Sequence, residues 1–206
     1  GQLVVHWRKM QGELFPPLGG DAAISIDGKA LVAEHAQAEP VVTIASMQGM
    51  ARAIKKDVYL DGRFEGLEFG PSWPDLQALP PLSGKADVTV ADGATLALGD
   101  ARSFRGHSAT IRELMLSPSD DASITVKGRV SVDDEGRLDA DLKVHLRSPQ
   151  ELAAALKLAF PEAVKEIDNA TAVVAMLGSD PLVPVTIRKG KVTVGFIPLG
   201  RIPPLP

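Results

Sequence analysis

The sequence predicts a mainly β (α+β) fold: an extended, twisted antiparallel sheet of repeated hairpins, with two helices packed on one face or end. Three observations carry this. Between Ser123 and Arg147 apolar and polar residues alternate strictly, the mark of half-buried strands. A tight turn followed by a rising strand recurs along the chain. A helically spaced stretch from Ser148 to Gly178 then breaks the β pattern before the last hairpin.

In chain order, the sequence reads as one β-rich domain over 1–206. Within it lie an N-terminal subregion 1–70, a proline-rich crossover 71–83 and a main hairpin and helix region 84–206. Asp27-Gly28-Lys29-Ala30-Leu31 and Asp61-Gly62-Arg63-Phe64 read as tight turns entering strands. Met47, Met50, Ala51 and Ile54, running up to Lys55-Lys56, fit a short helix or an irregular strand equally well. Pro71, Pro74, Pro80 and Pro81 bar a central strand, because proline has no N–H to give a ladder. Trp73 among them is expected to fold back onto the core. Lys85 to Gly99 is expected to form a hairpin around Ala91-Asp92-Gly93, with Val88 opposite Leu96 and Ala86 opposite Leu98.

The next hairpin can be registered by arithmetic. With a three-residue loop Asp134-Glu135-Gly136 and Gly136 in the left-handed region, Val132 faces Leu138, Val130 faces Ala140, Gly128 faces Leu142, Val126 faces Val144 and Ile124 faces Leu146. A slip of one residue would turn every apolar side chain outward. The outer face then sets Arg129 opposite Asp141, Ser131 opposite Asp139 and His145 opposite Thr125.

Ser148-Pro149-Gln150-Glu151 has the form of a capping box with proline in the first turn. Leu152, Leu156 and Ala159 follow at helical spacing until Phe160-Pro161 ends the helix. A second helix carries the stripe Val164, Ile167, Thr171, Val174 and Leu177, with Gly178 as its C-cap. The pair is expected to cover one face or end of the sheet. The small side chains Ala153, Ala154 and Ala155 also suit a lid over an apolar groove. Finally, a Lys189-Gly190 turn pairs Ile187 with Val192 and Val185 with Val194.

Composition excludes several functions. With 22 Lys+Arg against 26 Asp+Glu the net charge is -4, and the basic clusters stop at Lys55-Lys56 and Arg188-Lys189 with Lys191. No surface rich enough in cations to track nucleic-acid phosphates is expected. There is no cysteine, so disulfides, thiolate metal sites and cysteine nucleophiles are excluded. No apolar run is long enough to span a bilayer. The opening Gly1-Gln2-Leu3-Val4-Val5 lacks an initiator Met and a basic stretch, and reads as a mature fragment whose targeting segment has been removed.

The four histidines His6, His35, His107 and His145 lack metal-ligand spacing, so no metal is expected. His107-Ser108 places a base beside a hydroxyl, but neighbours on a strand point to opposite faces and no nucleophile elbow is present. Asp133, Asp134, Glu135 and Asp120-Asp121 read as turn residues. No phosphate-cradling glycine loop occurs. No catalytic, cofactor-binding or metal-binding residues are assigned, and the ligand-binding residues stay open.

Asp133 to Leu142, the helical pair, Pro181-Leu182-Val183-Pro184 through Gly190-Lys191-Val192-Thr193-Val194-Gly195 and the closing Ile202-Pro203-Pro204-Leu205 resemble the end of the domain of unknown function 2125. The resemblance runs over about Ala94 to Pro206. It implies an uncharacterised alphaproteobacterial envelope protein, periplasmic and held to the inner membrane by an anchor outside this chain. It carries no catalytic residues. The repeating turn-strand pattern is also similar to that of AsmA-like envelope proteins, whose extended sheets are associated with lipid handling. The leading expectation is a non-enzymatic periplasmic envelope domain that offers an apolar sheet face to a lipid-like ligand or to a further copy of the fold. The alternatives are a protein interaction or scaffold module of the envelope, binding along an edge strand, and, least supported, a hydrolase using His107 and Ser108.

Overall fold

The computed structural model describes residues 3–15, 22–35, 40–93 and 104–205. In order the chain forms β1 (Leu3–Phe15), β2 (Ala22–His35), β3 (Pro40–Ile54), β4 (Asp57–Phe69), β5 (Leu82–Ala91), β6 (Ser108–Ser117), β7 (Ser123–Val132) and β8 (Leu138–Arg147). Helices α1 (Pro149–Ala159) and α2 (Val164–Ala175) follow, then β9 (Leu182–Arg188), β10 (Lys191–Val194) and β11 (Ile197–Arg201). All 11 strands lie in one sheet in sequence order, each antiparallel to its neighbours. The fold is mainly β, as the alternation predicts.

The β7–β8 hairpin has the register derived from parity at all five apolar pairs, from Val132↔Leu138 to Ile124↔Leu146. Its loop closes through Gly136 N–H donating to the Asp133 carbonyl at 2.9 Å, with Gly136 at φ +79°. The Asp133 carboxylate accepts the N–H groups of Glu135 (3.0 Å) and Arg137 (2.8 Å) and the Arg137 guanidinium (2.7 Å). The Arg137 backbone N–H, then its side chain, hold the Asp133 carboxyl below the usual aspartate range. At the second turn, Lys189 (φ +49°) and Gly190 (φ +78°) are both left-handed, as a type I′ hairpin requires, and Ile187↔Val192 and Val185↔Val194 pair as derived.

Other expectations need correction. Gly28 and Gly62 are not turn residues but lie in mid-strand, in β2 and β4. A Cβ at either would be crowded: the Leu31 side chain stands 3.0 Å from the Cβ position of Gly28, and the Gln48 carbonyl 3.1 Å from that of Gly62. The turn between β3 and β4 falls at Lys55-Lys56 instead, with Lys55 at φ +57°. The ambiguous Met47 to Ile54 segment is the strand β3. The hairpin expected over Lys85–Gly99 does not form. Leu96 and Leu98 lie outside the described residues, but Val88 already pairs with Leu60 on one side and Ile111 on the other. Both edges of β5 are therefore taken. The proline-rich stretch contains a short 3-10 turn, Leu76–Ala78, and joins the adjacent strands β4 and β5. Trp73 stays half exposed at 51% rather than returning to the core.

Ser148 also departs from expectation. It sits at φ +50° and makes no side-chain cap, because β8 turns into α1 with no intervening loop and the left-handed residue makes the reversal. Glu151 accepts a hydrogen bond from Ser119 Oγ at 3.2 Å instead of closing a box. α1 buries Ala153, Ala155 and Ala159, whereas α2 buries none of its residues. Phe160 and the Pro161–Ala163 3-10 turn separate the two helices. The C-terminal tail lies across the hairpin tips, with Ile202 N–H donating to Gly190 and Leu205 N–H to Gly136, each at 2.8 Å. Among the described residues no helix is long and apolar enough to cross a membrane.

The core is thin and built from small residues. Val132, Ala140, Val183 and Ile187 are buried, and among the described residues no large side chain is fully buried. The accessible surface is 13212 Å², against about 9,200 Å² for a compact chain of 21.7 kDa. One sheet with a helix pair at one end cannot enclose both of its faces.

Candidate functional site

Alternation along the strands, carried through the pairings, sorts the side chains into cross-strand rows. One row reads Gly12–Ile26–Gly49–Gly62–Ala86–Leu114–Val126–Val144–Val183. The next reads Ile24–Ala51–Leu60–Val88–Ile111–Gly128–Leu142–Val185. On the other flank runs Met10–Gly28–Met47–Phe64–Gly84–Leu116–Ile124–Leu146. None of these rows contains a polar side chain. Together they make a single apolar face nine strands wide.

The helix pair covers only part of it. Beyond the helices, Ile24 is 47% exposed, Leu60 40% and Leu114 44%. Over β2–β5 the face is hollow, because Gly49 sits opposite Gly62 and neither supplies a side chain. The resulting trough has a volume of about 430 Å³, with Ile24, Ile26, Met47, Leu60, Phe64 and Ala86 among its walls. Phe64 lies over Gly84, where a Cβ would meet its ring. A second concavity of about 440 Å³ lies under the helices, between Leu116, Ile124 and Leu146 of the sheet and Leu152, Ile167 and Val174 of α1 and α2.

The opposite face is polar and largely self-neutralised. Gln48 bridges Asp27 (2.8 Å) and Arg63 (2.6 Å) across β2–β4. Asp61, Asp87 and Glu113 fall in one row, where like charges would repel. Arg112 Nε donates to Asp87 at 2.8 Å and Lys85 binds Glu113 at 2.6 Å. The Arg112 guanidinium holds the Asp87 carboxyl below its usual range, and Glu113 raises Lys85. Arg112 also stacks 5.8 Å from the Tyr59 ring centroid and donates to Thr89. These are exposed pairs on a solvated surface, each of small energetic weight.

The titratable residues singled out in the sequence do not converge. Among the described residues no group of three His, Asp or Glu is placed to hold a metal ion. His145 pairs with Thr125 as derived, and its Nε2 lies 3.1 Å from Asp180. Ser108 pairs with Ser131 across β6–β7, and the His107 Nδ1 is buried without a hydrogen-bond partner, so no base reaches the Ser108 hydroxyl through it. Asp133 and Glu135 are occupied by Arg137. The trough was missed in the sequence because Gly62 reads as a turn and Gly49 lies in the Met47–Ile54 segment, which fits helix and strand equally. The signal was present: Ile24-Ser25-Ile26-Asp27-Gly28 puts glycine at an apolar parity position, as Val126-Lys127-Gly128 does.

A family model described as "Uncharacterized protein conserved in bacteria (DUF2125)" matches residues 2–203. The chain belongs to that family. The match extends the resemblance, drawn from about Ala94 onward, over almost the whole sequence. No curated protein and no solved structure matches the chain. The family description assigns no activity, so the argument for function rests on the apolar face.

Proposed function

We propose that this chain is a non-enzymatic domain of the bacterial cell envelope, on the periplasmic side, whose apolar sheet face holds a lipid-like ligand. One observation carries the reading: three adjacent rows without a polar side chain cross eight or nine strands, and Ile24, Leu60 and Leu114 on them stay open to solvent. Exposed contiguous apolar surface beyond a few hundred Å² marks a binding region in a water-borne domain. Apart from Gln48, Asp61 and Arg63, the residues lining the trough over Gly49 and Gly62 are apolar, which favours a hydrocarbon ligand over a polar one. The resemblance of the C-terminal half to envelope proteins supports the periplasmic side, and a cysteine-free chain is compatible with it.

The test is native mass spectrometry of the protein purified from its own envelope fraction. Lipid-sized adducts are expected, and they should diminish in a Leu60→Lys/Leu114→Lys double variant that stays folded. Purification of the wild-type protein free of any adduct, from the cytosolic fraction, would overturn both ligand class and location. A second reading, a protein interaction module, is favoured by β1, whose 13 residues pair, among the described residues, on one side only, with β2. An extended partner strand could add there. The opposite edge, β11, is short, carries Pro198 and is bulged against β10, features that deter such addition.

A further inference from the structure

We infer that α2 is a lid over a slot that takes one unbranched hydrocarbon chain. The inference rests on the apolar-face reading and narrows its ligand. α2 has 12 residues and none of them is buried. A helix of that length is marginal in water unless its apolar stripe packs against something. The stripe of Ile167, Ala170, Thr171 and Val174 faces the slot of about 440 Å³ and does not close onto the sheet. α1, by contrast, is anchored through Ala153, Ala155 and Ala159. Among the described residues, α2 is held by the Phe160–Ala163 link, the chain that leads on into β9, helix contact with α1 and the exposed Lys157–Asp168 pair at 2.8 Å. Such a pair contributes little, so α2 belongs to the low-stability end of the fold, where local opening is expected.

The lining selects the occupant. Its one polar side chain, Thr171, already donates its hydroxyl to the Ile167 carbonyl at 2.7 Å. No side-chain donor remains for a polar ligand, only the Thr171 oxygen as a single acceptor, and an ordered water needs about two to four polar partners. A peptide strand would need an unpaired backbone edge. The floor strands β5 to β8 are paired on both sides. Hydrocarbon remains. An apolar cavity of about 150 Å³ takes up benzene, roughly 25 Å³ per carbon, so the slot of about 440 Å³ suits a chain of about 18 carbons. Filling it would give the stripe of α2 the contacts it lacks, and binding and ordering of α2 would be one event.

The test uses the full chain with fluorescent cis-parinaric acid as probe, displaced by a series of saturated fatty acids. Affinity should rise about fourfold per added methylene and level off near about 18 carbons. Thr171→Phe should weaken binding by about tenfold or more by filling the slot, while Arg112→Lys, on the polar face of the sheet, leaves it unchanged. In the cysteine-free chain, Val174→Cys supplies a single thiol, and bound palmitate should slow its maleimide labelling. That reading stands even if Thr171→Phe fails to fold. Binding lost in Leu60→Lys and kept in Thr171→Phe would move the chain to the trough, overturning the lid and leaving the apolar-face reading intact. Unprotected Val174→Cys, or affinity that keeps rising with no plateau, would likewise overturn the slot. No binding of any fatty acid to the wild-type protein would sink both.

Discussion

Gly136→Ala tests whether the C-terminal tail is docked on the β7–β8 hairpin or merely follows it. Gly136 has φ +79°, and alanine in the left-handed region costs about 1–2 kcal/mol. A Cβ there would also come closer than 3.0 Å to the Leu205 carbonyl oxygen, a backbone atom that cannot rotate away. The tail must then lift, and the 2.8 Å bond from Leu205 N–H to the Gly136 carbonyl is lost. A hydrogen bond of this kind contributes about 0.5–1.5 kcal/mol. The expected total is about 2–3 kcal/mol, read by urea denaturation followed by circular dichroism. In a chain truncated after Ile202 the tail is gone, and Gly136→Ala should cost only the conformational part, about 1–2 kcal/mol. The difference between backgrounds, about 1 kcal/mol, is the coupling between turn and tail. An equal cost of Gly136→Ala in both backgrounds would refute the docking argument.

Three further outcomes are expected. The Asp133 carboxyl has its pKa lowered in the fold by the Arg137 N–H and guanidinium, so its stabilising contribution is complete above about pH 4 and lost as pH falls through the depressed folded value. Asp133→Asn should therefore lower Tm at neutral pH, with the gap to wild type closing in acid; a gap that is constant with pH would count against the assignment. Ile187→Ala, at a site only 6% exposed, should cost about 2–4 kcal/mol, whereas Leu60→Ala on the open face should cost under about 1 kcal/mol; equal losses would show that the face is covered. Gly128→Ala meets both φ +149° and the Asp141 carbonyl, and should destabilise by about 2 kcal/mol or more, measured by the same denaturation; a neutral result would contradict the strand geometry.

The parts of the fold legible in the sequence are those where parity and a left-handed glycine constrain each other. At Gly136 and Gly190 the apolar residues on both sides fix the register, and the structure has it at each derived pair. Gly28 and Gly62 were misread because one residue type serves two ends: it permits positive φ, and it leaves room where another atom must pass. Only the parity of the surrounding Ile24, Ile26, Leu60 and Phe64 distinguishes the cases. The Lys85–Gly99 hairpin failed for a non-local reason, since nothing near Val88 announces that Leu60 and Ile111 will occupy both its edges. The buried alanines of α1 signalled close helix packing, but the unburied state of α2 is a tertiary fact that its amphipathic stripe conceals.

Gly49→Val separates the demands of stability from those of the trough. Glycine in a strand interior costs roughly 0.5–1 kcal/mol relative to alanine, and β-branched residues fit a half-buried sheet surface better still. At Gly62 the tight approach of the Gln48 carbonyl explains the glycine. At Gly49 it does not: an added Cβ would meet only ordinary contacts, 3.5 Å from the Asp61 carbonyl and 3.9 Å from the Gly62 Cα, with no left-handed φ. Selection for a stable sheet alone would place a branched side chain there, beside Ile26 and opposite Gly62. What glycine preserves at Gly49 is the hollow. Gly49→Val should therefore raise the denaturation midpoint by the equivalent of about 0.5–1 kcal/mol and reduce the lipid adducts seen by native mass spectrometry. A destabilised Gly49→Val protein would mean that the row is closed by something pressing on Gly49. A stabilised one that still carries its full complement of lipid would move the ligand away from the trough.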